Sequence, residues 1–109
     1  MSENIIEIHS REQFDWLLQS EKLTVVDFWA EWCWPCRMML PVLHWIAESH
    51  PEIQLLTVNV DECVDIAWDP KFWVSSIPAI FFMKKWEIVD GFVWALPPDE
   101  VENKISSNL

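Results

Sequence analysis

Apolar positions along the chain follow two periods, and the switches between them mark out the elements. Ile5-Ile6-Glu7-Ile8 is a short β-branched run bounded by His9-Ser10, which predicts a first strand. Ser10 followed by Gln13 fits a capping box, so a helix should begin there, with Phe14, Leu17 and Leu18 sharing one face until Glu21-Lys22. Leu23 to Trp29 is almost continuously apolar, the pattern of a central strand covered on both faces. After Cys36 the apolar residues Met38, Met39, Val42, Leu43, Ile46 and Ala47 return to helical spacing. Pro41 lies inside that pattern and should kink the helix, which ends near Ser49-His50-Pro51.

Ile53 to Val60 predicts the next strand. A short helix is expected from about Glu62 to Trp68, broken by Pro70. Ile77–Met83 and Glu87–Val93 read as two strands separated only by Lys84-Lys85-Trp86, an antiparallel hairpin. Pro97-Pro98 opens a last helix, Asp99 to Leu109, with Val101, Ile105 and Leu109 on one face. The order β-α-β-α-β-α-β-β-α implies an α/β fold with helices on both faces of a mixed sheet, and 109 residues without repeats or linkers fit one domain spanning 1–109.

Charge narrows the partners. A net charge of −11, with seven scattered Lys and Arg, argues against nucleic acid. No run of eighteen apolar residues is present, so no membrane span is expected. The acidic stretch Met1 to Ile8 lacks a long apolar segment, so no signal peptide is expected and the reducing cytoplasm is the default compartment. Composition adds one anomaly: nine Trp and one Gly, where glycine usually makes up about 7% of a chain. An unusual natural sequence and a deliberate replacement of glycines both fit it.

The candidate chemistry lies where the central strand meets the second helix, in Cys33-Trp34-Pro35-Cys36. A thiolate, not a thiol, attacks a disulfide, and free amides at a helix start favour an anion, so Cys33 should be an exposed thiol with a lowered pKa. Cys36, one turn on, can then resolve a mixed disulfide at high effective concentration, and Pro35 has no donor to lose in the first turn. Half of a zinc site is the competing reading, with Cys63, His44 and His50 as the remaining soft ligands, but no second CxxC or HxxxH accompanies it. Two idle buried cysteines are a third reading. Asp27, an acid within the apolar strand, should have a raised pKa if buried and could exchange a proton with Cys36; the alternative is a half-exposed position at a sheet edge. Pro78 belongs at the start of a strand, and a cis Ile77–Pro78 peptide would leave the backbone of Ile77 open to an extended substrate. Cys63, a lone cysteine, reads as structural or as a site for adventitious dimers.

Nearly the whole chain resembles the thioredoxin family. The resemblance is carried by Phe28-Trp29-Ala30 through Trp32-Cys33, Pro35-Cys36-Arg37, Pro41, Val58-Asn59-Val60-Asp61, Ile77-Pro78 before a Phe-rich strand, and Val93 with Ala95-Leu96. It implies a thioredoxin-like fold, a mixed five-stranded sheet flanked by four helices. It also implies a thiol–disulfide oxidoreductase that reduces protein disulfides, with Cys33 attacking, Cys36 resolving, Asp27 as the buried acid, Pro78 as the cis-proline and Trp32 beside the dithiol. No bound cofactor is implied. The partners implied are disulfide-containing client proteins and a thioredoxin reductase-like flavoprotein using NADPH.

The departures are specific. Trp34, Trp73, Trp86 and Trp94 stand where the family usually has Gly, Ala79 where it usually has Thr, and Thr57 where a Lys often lies near the buried acid. The segment Trp68-Asp69-Pro70 is about two residues longer than usual. Trp86 would be strained if the hairpin turn needs φ > 0. On that resemblance Trp32, Trp34, Ile77, Pro78 and Trp94 would form an apolar rim for peptides around Cys33. Trp94 could instead fill the substrate groove, which leaves the alternative of a redox-weak or inactive binding or scaffold module. An oxidant or isomerase of the same fold is a further alternative, separable by redox potential.

Overall fold

Residues 3–109 are described in a computed structural model of the chain; Met1 and Ser2, part of the N-terminal stretch read for a signal peptide, lie outside them. The elements follow in the expected order as β1 (Ile5–Glu7), α1 (Arg11–Leu17), β2 (Leu23–Trp29), α2 (Trp34–Ser49), β3 (Ile53–Asn59), α3 (Val64–Ala67), β4 (Ala79–Lys84), β5 (Glu87–Val93) and α4 (Pro98–Asn108). The strands form one five-stranded sheet ordered β1-β3-β2-β4-β5. β3 runs parallel to both β1 and β2, whereas β4 is antiparallel to β2 and β5. This is the mixed sheet with four helices that the α/β reading implied.

β2 is central because its side chains can be buried on both faces. Val26 and Phe28 join a core with Phe14 at α1 and Ile66 and Ala67 of α3. Leu23 and Val25 join the opposite core with Met39, Leu43 and Ile46 of α2 and Val101 and Ile105 of α4. A side chain such as Phe28, fully buried, contributes roughly 1.5–3 kcal/mol by leaving water. Alternation along the strand therefore turns Asp27 toward the face covered by α2.

Local chemistry sets the ends. Ser10 caps α1, its hydroxyl accepting the Gln13 N–H at 3.1 Å, while the Gln13 side chain accepts the His9 N–H at 2.7 Å, one residue earlier than an ideal capping box. α2 stays continuous through Pro41. α3 is only four residues long, shorter than the expected Glu62–Trp68. The Asn59 side chain accepts the N–H of Asp61 and Glu62, and its carbonyl accepts that of Cys63, so these residues are held in a turn until Val64. β4 begins at Ala79, so Ile77 and Pro78 precede the strand rather than lying in it. Leu109 is exposed, unlike Val101 and Ile105, because it caps α4 beyond the packed face. Among the described residues no helix is long and apolar enough to cross a membrane.

Candidate active site

The sheet hands the chain from β2 to α2 through Ala30–Cys33, and that crossing positions both sulfurs. Cys33 is the N-cap of α2 in an extended conformation, its own N–H donating to Ala30 O at 3.2 Å. The Cys33 Sγ accepts the Cys36 N–H at 3.3 Å, the place a capping oxygen takes in other helices. Pro35 occupies the first turn of α2, where an N–H would have no intrahelical acceptor. Cys33 and Cys36 are joined as a disulfide with Cα atoms 5.3 Å apart. Any negative charge developing on Cys33 faces the free amides and the positive end of a sixteen-residue helix.

The two sulfur residues differ in access. Cys36 is fully buried, and Cys33 retains 6% of its surface. That corrects the expectation of an openly exposed Cys33: Trp29, Val60 and Ile77 pack against the Ala30–Cys33–Cys36 cluster and cover most of it. Trp32 and Trp34 are not among the covering residues and are 71% and 66% exposed.

Asp27 lies in the middle of β2, not at an edge, and is fully buried. Its lateral neighbours in the sheet are Thr57 on β3 and Ile80 on β4. Neither carboxylate oxygen finds a hydrogen-bond partner among the described residues. Desolvation with no cation or donor to offset it pushes the Asp27 carboxyl up to about 7. A buried acid with that pKa can hold or release a proton near neutrality, on the same side of the sheet as α2 and Cys36.

The Ile77–Pro78 peptide is cis. Ile77 packs on the dithiol cluster, and no backbone hydrogen bond engages it among the described residues. Pro78 is buried, and its carbonyl accepts the Trp94 N–H at 2.8 Å. A groove of about 510 Å³ opens beside these residues, lined by Trp32, Ile77, Val60, Asp61, Ala67 and Trp68 among others. Trp32 is fixed there by its Nε1–H, which donates to Asp61 Oδ2 at 3.0 Å. Trp94 does not line this groove; its indole is 61% exposed beside Pro78. Trp34 also lies outside it, stacked under the Arg37 guanidinium at 5.6 Å. The expected five-residue rim is thus divided, with Trp32 and Ile77 in one groove and Trp34 and Trp94 elsewhere.

Two of the three further ligands a zinc reading would need, Cys63 and His50, are engaged in other contacts. Cys63 is buried with its Sγ against Ile8 O at 3.6 Å, and burial pushes its thiol up. His50 bridges Glu52 and Glu102 through its two ring nitrogens. Sequence reasoning missed Val60, Ala67 and Trp68 as groove residues. The extra length at Trp68-Asp69-Pro70 was a signal for Trp68, and the Val58-Asn59-Val60-Asp61 stretch one for Val60.

A family model described as thioredoxin matches residues 5–107. The chain is 36% identical to a thioredoxin of Buchnera aphidicola over an alignment 110 positions long, covering 100% of this chain and 99% of that one. It is 41% identical to horse (Equus caballus) thioredoxin, covering 79% of this chain and 82% of that one. The crystal structure of a thioredoxin from Nicotiana alata superposes with a TM-score of 0.86 at 32% identity, covering 98% of this chain and 94% of that one. With the sheet order, the disulfide at the mouth of α2 and these likenesses in agreement, the chain belongs to the thioredoxin family and is a thiol–disulfide oxidoreductase.

Proposed function

We infer that the protein reduces disulfides in client proteins. Cys33, as thiolate, attacks one sulfur of a client disulfide; a Cys33–client bond forms, and the second client sulfur leaves as a thiolate that takes up a proton. Cys36 then loses its proton and attacks Cys33 Sγ. The Cys33–Cys36 bond forms, the client's other sulfur departs, and the client has gained two electrons and two protons. Asp27 is the group suited to accept the Cys36 proton, since its pKa of about 7 lets either form exist at working pH. The buried position of Cys36 favours resolution over attack on outside molecules. Ile77, with its backbone groups unpaired among the described residues, suits an extended client segment adding to it as a strand would. Restoring the dithiol needs two electrons from outside, for which an NADPH-dependent flavoprotein reductase is the expected donor.

The observation that carries this reading is the unequal access of two bonded sulfurs at one helix mouth. Trapping tests it. Cys36→Ser should accumulate a mixed disulfide with a client such as insulin, seen by intact mass, whereas Cys33→Ser should accumulate none. Trapping through Cys36 instead would overturn the assignment. The redox potential separates reductant from oxidant: a value near the roughly −270 mV given for thioredoxin itself supports the reductase, and one near −120 mV contradicts it.

A further inference from the structure

The groove beside the dithiol contains a second indole that the reaction itself does not require. Trp68 follows α3 and lines the same groove as Trp32, and the two are 63% and 71% exposed. Two such indoles on one concavity form an apolar surface of the kind that binds a partner. Both are held in place. Trp32 is held by Asp61, and Trp68 meets Trp73 edge-on, with ring centroids 5.5 Å apart at 85°. The loop carrying this pair is braced through Asp69, whose carboxylate accepts the Lys71 N–H at 2.9 Å and pairs with Arg11 of α1. The Asp69 carbonyl accepts the N–H of Phe72 and Trp73, and Val74 N–H returns to Ala67 O at 3.0 Å. A surface fixed before binding loses less entropy when it is occupied.

A second concavity shares Trp32 and Asp61 with the groove. It is otherwise lined by Glu31, Asn59 and Glu62, so it presents three carboxylates and no Lys or Arg. An apolar groove joined to an acidic hollow across one indole has a definite complement. A second copy of this chain, at net charge −11, is a poor match for it.

We propose that the protein selects client disulfides flanked by a bulky apolar side chain, which enters the Trp32–Trp68 groove, and by a lysine or arginine, which meets the Glu31–Asp61–Glu62 hollow. Trp68 is the specificity-determining residue and Trp73 its positioning residue. This rests on the reductase reading above and names its substrate class.

The test uses four disulfide-bonded peptides with Phe or Ala at one flanking position and Arg or Glu at another. Phe should exceed Ala by about tenfold in kcat/KM, expressed in KM, the low end for an apolar pocket. Arg should exceed Glu by about threefold at low salt and by little at high salt, as for a solvent-exposed pair. Trp68→Ala should bring the Phe preference close to one. Trp73→Ala should reduce it, and Trp73→Phe, which can still brace Trp68, should restore it. Equal kcat/KM across the four peptides, or a preference that survives Trp68→Ala, overturns the proposal while the reductase reading stands. The same peptides with Ser for both cysteines, titrated against the oxidised protein by tryptophan fluorescence, give an arm independent of turnover. If no peptide is reduced, the reductase reading falls; graded binding then still supports the selectivity and uniform binding refutes it.

Discussion

From Leu23 to Cys36 the backbone keeps to ordinary conformations, although this stretch holds a buried acid, the start of a long helix and a reactive disulfide. The loops around β4 and β5 behave differently. Trp73, Lys85 and Trp94 have φ values of 40°, 54° and 74°, a region that disfavours side chains bearing a Cβ. The contrast separates two sources of free-energy cost. Within β2 the cost is electrostatic: a carboxyl taken out of water without a partner, in the place where a proton acceptor is useful. In the loops it is steric, and nothing in the proposed reaction depends on it. Reactivity here comes from burial and a helix terminus, and the shortage of glycine is borne by turns outside the dithiol.

Asp27 offers the largest test of that contrast. Folded, it keeps its proton until about pH 7; unfolded, it releases it near 3.8. Between those values the folded state binds more protons, so stability falls as pH rises, with the full contribution below about 3.8 and the loss complete above about 7. The shift corresponds to on the order of 4 kcal/mol. Asp27→Asn, neutral throughout, should be flat across that window and about 2–4 kcal/mol more stable than the parent at pH 8, measured by urea unfolding at pH 4 and pH 8. The same variant should turn over more slowly if Asp27 takes the Cys36 proton.

Gly91, the single glycine, comes next. A Cβ there would lie 2.8 Å from Ile80 O, beside the irregularity in the β4–β5 register, so this glycine is required by close strand approach and not by its φ. Gly91→Ala should cost about 1–3 kcal/mol in thermal or urea unfolding, through the shift forced on β4.

Smaller effects should divide by backbone angle. Trp94→Gly removes a side chain from φ 74° and should stabilise by about 1 kcal/mol. Trp86→Gly, where φ is not positive, should destabilise by about 0.5–1 kcal/mol. Equal effects of one sign at both positions would erase the steric half of the contrast.

The strand of long apolar reach was legible to its ends: Leu23–Trp29 is β2 as read, since a doubly buried strand leaves a continuous pattern. The helix start behind Cys33 was legible for the same kind of local reason, as Pro35 and the cysteine spacing act within one turn. What depends on contacts distant in sequence was not. The strained turn residue is Lys85 and not Trp86, because the hairpin loop is two residues long and Lys84 still belongs to β4. The partial cover over Cys33 comes from Val60 and Ile77, and the groove wall from Trp68, each brought in by other elements of the fold. Trp94 could be matched to the groove by resemblance, but its indole points elsewhere once its N–H is tied to Pro78 O.

The central claim is that the mouth of α2 makes Cys33 a thiolate source. Titration of the reduced protein by thiolate absorbance, with Cys36→Ser to isolate the signal and Cys63→Ala to remove the buried thiol, tests it directly. The account predicts a Cys33 pKa well below the roughly 8.5 of a free cysteine. A value at or above that would contradict it, because the helix terminus would then be doing nothing for the sulfur on which the exchange depends.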